Sequence, residues 1–209
     1  MGLEQTSVAT RQAPLRQRYS ELPAEAMITK RVRTTTPNLR DPFHSTVCPQ
    51  NVAHPQTPYG IEWSLGIDEA VGGLHDAPNP GDMLCAALAA CLEGTVLMVA
   101  NLLRIELEEL NVEVTGQVDV RGALAIDPSV PVGFQTIAAN VRIRARTGTR
   151  PRLVEQLCAA SERLCIDLQT LRRGVNVDVA FDADADAAAA APLHPDPSER
   201  ARSRRPVST

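Results

Sequence analysis

Five cysteines, at positions 48, 85, 91, 158 and 165, are the residues of this sequence best suited to chemistry. Two of them sit in its most apolar stretch, "NPGDMLCAALAACLEGTVLMVANLL" from Asn79 to Leu103. A thiol in such surroundings either packs as a small apolar unit or is a reactive group held in a shielded pocket. The number is odd and the spacing irregular, which does not suggest a stapling framework of disulfides. Cys85 and Cys91 are six residues apart, which on a helix at roughly 100° per residue places them about 120° apart, on different faces. Cys158 and Cys165 would share a face of a continuous helix but lie about 10 Å apart along its axis, too far for a disulfide. Any pairing must cross between two helices.

Two other groups of residues carry weaker signals. His44, Cys48 and His54 could supply three metal ligands, but no fourth is evident and the spacing matches no common zinc module. An exposed loop cysteine is the simpler reading, and neither a metal nor a cofactor is expected. The run Arg142, Arg144, Arg146, Arg150, Arg152 resembles a nucleic-acid patch. Val141, Ile143 and Ala145 alternate with its first three members, as in a strand with one wet face.

The elements that must hold these residues follow from composition and pattern. With 209 residues, 44% hydrophobic and 22% charged, the chain can support one sizeable core and reads as one domain. Its 21 basic and 25 acidic residues give a net charge of -4, so no general attraction to nucleic acid or anionic membrane is expected. Aromatic residues are only 3%, too few for a base-stacking surface. The N-terminus lacks an apolar h-region, and a cytoplasmic location is expected. The stretch from Asn79 to Leu103 is long enough to span a bilayer, but Glu93, Gly94 and Asn101 interrupt it and alanine dominates much of it. A buried helix of a soluble domain fits better.

Residues 1–24 read as a largely disordered arm with a short helix around Arg16 to Tyr19. "ITKRVRTTT" alternates as a first strand, the proline-rich segment through residue 58 reads as an irregular excursion, and "YGIEWSLGIDE" is a second strand. "AVGGLHDAPNP" is a loop, and Pro80 opens the long helix, where its missing donor is harmless. "NVEVTGQVDVRG" and "FQTIAANVRIRART" are alternating strands, and "RPRLVEQLCAASERLC" is an amphipathic helix with Leu153, Leu157, Ala160 and Leu164 on one face. "VNVDVAFD" reads as a closing strand, and residues 183–209 as a disordered tail.

A glycine- and proline-rich loop leading to "NPGDMLCAALAAC", with a cysteine eleven residues after Pro80, is followed by "ASERLCIDLQTL", where a second helix ends at a cysteine before a short leucine-rich turn and a final strand. In this ordered pair the sequence resembles the OsmC/Ohr family of thiol-dependent peroxidases. "LRQRYSELPAEAMITKRV" also looks like the start of one branch of that family, and the likeness covers roughly residues 16 to 182. It implies that Cys91 is the peroxidatic cysteine, which becomes a sulfenic acid, and that Cys165 is the resolving cysteine, which condenses with it to a disulfide reopened by a dithiol reductant. Cys85 and Cys158 are then packing residues. The aliphatic surroundings of Cys91 favour an organic hydroperoxide over hydrogen peroxide. A catalytically weak or non-enzymatic relative that binds a small hydrophobic ligand is the alternative.

Peroxidases of this family usually carry a glutamate directly after the proline, paired with an arginine that stabilises the thiolate. Here the position is Gly81, followed by Asp82. Asp82 is a candidate substitute as well as a helix cap, and Arg31 and Arg33 are candidates for the arginine. The expected fold is α+β, OsmC-like: mostly antiparallel sheet wrapped around two helices, over residues 25–182, with a central buried helix at about 81–104. A helix apolar all round needs burial on every side, so an intertwined homodimer is expected, as the family resemblance also implies.

Overall fold

The structure is a computed structural model that describes residues 7–35 and 38–183. The expected C-terminal tail lies almost wholly outside the described residues, as do residues 1–6 of the expected arm.

The rest of the arm is ordered. Ser7 accepts from the Thr10 amide and starts α1 (Val8–Glu21), where the expectation was a short helix near Arg16. Arginine and glutamine, both good helix formers, fill much of it, and the Val8 amide donates to Asn101 Oδ1 at 2.9 Å. β1 (Arg31–Thr35), β2 (Ser45–Gln50) and β3 (Trp63–Leu65) form an antiparallel sheet in that order. β2 lies in the segment expected to be irregular, so Cys48 belongs to a strand and not to a loop. Pro49 lacks an amide donor, but the strand pairs through its neighbours. Only Trp63–Leu65 of the expected second strand is regular.

α2 (Pro80–Leu103) is the long apolar helix, and Arg104 ends it in the left-handed conformation, φ 56°. β4 (Leu107–Val118) and β5 (Phe134–Ala145) form an antiparallel ribbon joined by a connection containing the single-turn α3 (Val120–Ala123). Its register sets Leu110 against Ile143, Val112 against Val141 and Val114 against Ala139, giving one apolar face. The other face is wet: Arg142 and Arg144 pair with Glu109, Arg144 with Glu108 and Arg146 with Glu106. Most of the suspected nucleic-acid patch is thus one side of a charge-paired ribbon.

α4 (Pro151–Leu164) breaks at Cys165, whose extended backbone (ψ 114°) leads into α5 (Ile166–Arg173). α2 packs against β4, α4 and α5. Leu157 is fully buried on the inner face of α4, while Leu164, expected on that face, is 51% exposed because the helix ends there. α2 itself is buried along one side only. Leu88, Leu92, Val96 and Val99 are inside, whereas Leu84, Leu97 and Met98 are 39–51% exposed. Burial on every side, expected from composition, is not reached within one chain. Among the described residues α2 is the one helix long and apolar enough to cross a bilayer.

The chain divides at Gly174. In the second unit, the segment expected to form a closing strand is irregular: Val175, Val177, Val179 and Phe181 are exposed. Alternation prepares a segment for a sheet, but a strand exists only by pairing with a neighbour.

Candidate functional site

The loop before α2 fixes the start of the helix. Asp68 caps a short 3-10 turn through the Ala70 amide, and its other carboxylate oxygen accepts from the Asn79 side chain at 3.1 Å. Gly72 adopts φ 90°, and Gly73 lies against the Ile67 backbone, where a Cβ would come within 2.1 Å of the carbonyl oxygen. Only glycine fits both positions. Asn79 Oδ1 then accepts from the amides of Gly81 and Asp82, and Asp82 accepts in return from the Asn79 amide at 2.9 Å. This is a complete reciprocal cap. Asp82, the candidate activator, therefore spends its carboxylate on the helix end.

From that start, nearly three turns of helix carry Cys91 into a cluster with Leu88, Leu92, Val112, Val114, Ile137, Leu168 and Cys165. Cys165 arrives by a different route: α4 stops, the chain extends for one residue, and the side chain points inward with no exposed surface. The two thiols are free and pack in the same cluster. They meet across two helices, the arrangement the spacing required. Cys91 is half-buried while Cys165 is sealed.

Burial pushes the Cys165 thiol above its ordinary range. The Leu168 backbone amide opposes the shift, and the neighbouring Cys91 thiol reinforces it. Cys165 is accordingly a protonated thiol near neutral pH. Thr95 Oγ1 donates to the Cys91 carbonyl at 2.7 Å and satisfies a hydroxyl on the buried side of α2.

Position 81 is closely approached by neighbouring side chains. The Phe134 ring lies over both Gly81 and Gly116: a Cβ at 81 would sit 3.3 Å from its Cζ, and one at 116 would sit 2.3 Å from its Cε1. The Phe134 ring thus stands beside position 81. Nothing local in the sequence marks Phe134, because its contacts come from distant positions on α2 and β4.

The other candidate residues lie elsewhere. Arg31 and Arg33 are exposed on β1, with Arg33 opposite Cys48 in register, and the structure does not bring them to the thiol cluster. His44 sets Nδ1 2.8 Å from Asp41 and Nε2 3.1 Å from Asp76, so its ring nitrogens are engaged by carboxylates. Asp41, then Asp76, raise its pKa. Among the described residues no group of three or more His, Cys, Asp or Glu is arranged to hold a metal ion. Cys85 packs near Gly116, and Cys158 lies exposed on α4.

Residues 73–180, just over half of the chain, match the family model described as OsmC-like protein. No curated protein matches the chain. Among solved structures, an OsmC-like protein from Mycoplasma pneumoniae is 17% identical with a TM-score of 0.52, covering 71% of this chain and 89% of that one. An OsmC-like protein of unknown function from Vibrio cholerae is 11% identical with a TM-score of 0.54, covering 69% of this chain and 94% of that one. Identities this low speak for the fold alone. With the family model spanning the loop, both helices and both thiols, this chain belongs to the OsmC-like family.

Proposed function

We propose that the protein is a thiol-dependent peroxidase acting on organic hydroperoxides, with Cys91 as the attacking thiol and Cys165 as the resolving one. The observation that carries this reading is the pairing of two free thiols of unequal access, one half-buried and one sealed. A peroxide meets Cys91 first, because Cys165 has no exposed surface and burial keeps it protonated.

The chemistry balances in three steps. The Cys91 thiolate attacks the terminal peroxide oxygen, the O–O bond breaks, and one proton is taken up. Cys91 becomes a sulfenic acid, and the alkoxide leaves as an alcohol. The Cys165 thiol then condenses with the sulfenic acid, forming the S–S bond and releasing water. A dithiol reductant reopens that bond and is itself oxidised to a disulfide. Leu88, Leu92, Val112 and Val114 around the pair give an alkyl chain apolar contact and offer little to hydrogen peroxide.

The active form in this reading is a homodimer. The uncovered side of α2, with Leu84, Leu97 and Met98, is the surface a second copy would cover. Light scattering at micromolar protein should give twice the chain mass; a stable folded monomer would remove this part of the proposal.

One equivalent of cumene hydroperoxide should yield a Cys91–Cys165 cross-linked peptide and the loss of two hydrogens. Cys165→Ser should leave a sulfenic acid on Cys91 that a dimedone reagent traps, and Cys91→Ser should abolish peroxide consumption. Cys91 remaining reduced under excess peroxide at pH 8 would overturn the assignment.

A further inference from the structure

A cavity of about 910 Å³ lies between α2, β5 and the α4–α5 corner. It shares Leu88, Leu92, Ile137 and Leu168 with the cluster around Cys91 and Cys165, which makes it the pocket for the alkyl hydroperoxide. Most of its wall is hydrocarbon, and its other oxygen- and nitrogen-bearing side chains are already engaged. Gln135 Nε2 donates to the Pro131 and Gly133 carbonyls, Thr136 Oγ1 donates to Gln117 Oε1 at 2.8 Å, and Arg172 donates to Glu162 at 2.7 Å.

Ser161 is the exception. It belongs to the same wall and is 3% exposed, and among the described residues its hydroxyl is the one buried side-chain oxygen or nitrogen without a hydrogen-bond partner. The other buried hydroxyl, Thr95, is satisfied on its own helix by the Cys91 carbonyl. A buried hydroxyl left unpaired costs stability, so Ser161 calls for a partner that the chain itself does not supply. Its place says which. The Cys165 amide donates to the Ser161 carbonyl at 3.1 Å, so the two residues stand one helical turn apart on one face, with Cβ atoms about 5–6 Å apart. Cys165 packs with Cys91, which sets the Ser161 hydroxyl one turn from the reacting pair. It is sealed within a single chain, so a second copy over α2 leaves it as it is.

We propose that Ser161 donates a hydrogen bond to the alkoxy oxygen of the bound hydroperoxide, the oxygen that leaves. The role rests on the peroxidase reading of Cys91. As the Cys91 thiolate attacks the terminal oxygen, the O–O bonding pair passes to the alkoxy oxygen, and a fixed donor is worth more to that growing charge than to the neutral peroxide. Ser161 keeps its own proton, and the proton that completes the alcohol comes from solvent. Asp82 is occupied by the cap of α2, and Arg31 and Arg33 lie on β1, so none of these takes the task.

The test compares the full-length protein with Ser161→Ala. The second-order rate constant for Cys91–Cys165 disulfide formation is read from the cross-linked peptide at several oxidant concentrations. With tert-butyl hydroperoxide, whose alkoxide is a poor leaving group, the variant should react about tenfold more slowly. With peracetic acid, whose acetate leaves without help, the change should stay below about twofold. The melting temperature should not fall, because the lost hydroxyl has no partner within the chain. A merely structural role would lower it and slow both oxidants alike. Equal slowing of both oxidants, or no change with either, would overturn the role of Ser161 and leave the peroxidase reading standing. Wild-type protein whose Cys91 stays reduced with both oxidants would overturn that reading and this role with it.

Discussion

The two ends of α2 are packed against the same ribbon by the same kind of contact, yet they enclose different cores. Toward the C-terminal end, Val96, Val99 and Ala100 close on Ile105 and Leu157, with Leu110, Ile143 and Leu153 around them. Toward the N-terminal end, Leu88 and Leu92 close on Cys165, with Cys91 beside it. One core is hydrocarbon throughout, and the other gives up part of its hydrocarbon for two thiols. The break of α4 at Cys165 belongs to the second core alone. The proposed chemistry thus sits at one end of the helix and the all-hydrocarbon core at the other, so each can be tested by changes that leave its neighbour in place.

The sharpest test of that division is Leu157→Ala. Leu157 has no exposed surface, and truncating such a side chain costs about 2–5 kcal/mol. Urea denaturation should register that loss, while peroxide-driven formation of the Cys91–Cys165 disulfide in the surviving folded protein stays unchanged. A cost under about 1 kcal/mol would mean that the hydrocarbon end is not the stabilising one.

A smaller effect is expected from Gly116→Ala, whose Cβ would collide with the Phe134 ring beside the thiol end. Overpacking costs about 1–3 kcal/mol. Because Phe134 also borders an open cavity of about 910 Å³ beside α2 and β5, the ring has room to shift, which places the expected value near the lower bound. Phe134→Leu in the same chain should recover part of the loss, and an undiminished penalty in the double variant would refute the contact.

The thiol end should also reveal itself through alkali. Burial holds the folded Cys165 thiol above the unfolded value of about 8.5. Its contribution is therefore fully present below that value and is lost as pH rises through the folded one. Between pH 7.5 and 9.5 the protein should lose more stability than a Cys165→Ala variant does, measured by denaturation at both pH values. Equal losses would show that the thiol end carries no such linkage.

The least effect belongs to a site remote from both cores. His44, raised by Asp41 first and then Asp76, should titrate by NMR with a midpoint above the ordinary histidine value of about 6.5. What it adds to stability is present below the unfolded value and fades as pH climbs through the folded one. Asp76→Asn should move that midpoint down while leaving Cys91 reactivity alone.

The elements around the thiols were legible in the sequence, while the rest depended on long-range facts. α2, α4, β4 and β5 carry strong periodicity, and the structure places them within a few residues of the expected spans. α5 passed for a short leucine-rich turn because eight residues show little more than two helical turns. β2 was hidden by the prolines around it, and the last valine-rich segment was overread because its pattern says nothing about a neighbour. In the site, spacing alone required only that any pair cross between helices. The choice of Cys91 with Cys165 came from the resemblance, and the structure brings these two together. The arginines of β1 were proposed by residue type, which carries no information on which sheet faces the thiols. Ser161 and Phe134 matter through partners far away in the chain, or through lacking one, and no local pattern announces either.

Phe134 resting on Gly81 and Gly116 binds three separate positions into one unit of inheritance. A side chain at position 81 would meet Asn79 Oδ1 and the edge of the Phe134 ring, so it enters only as those two side chains give way. Position 116 likewise gains a side chain only as the ring moves aside. The costs of substitution at positions 81, 116 and 134 are therefore coupled rather than additive.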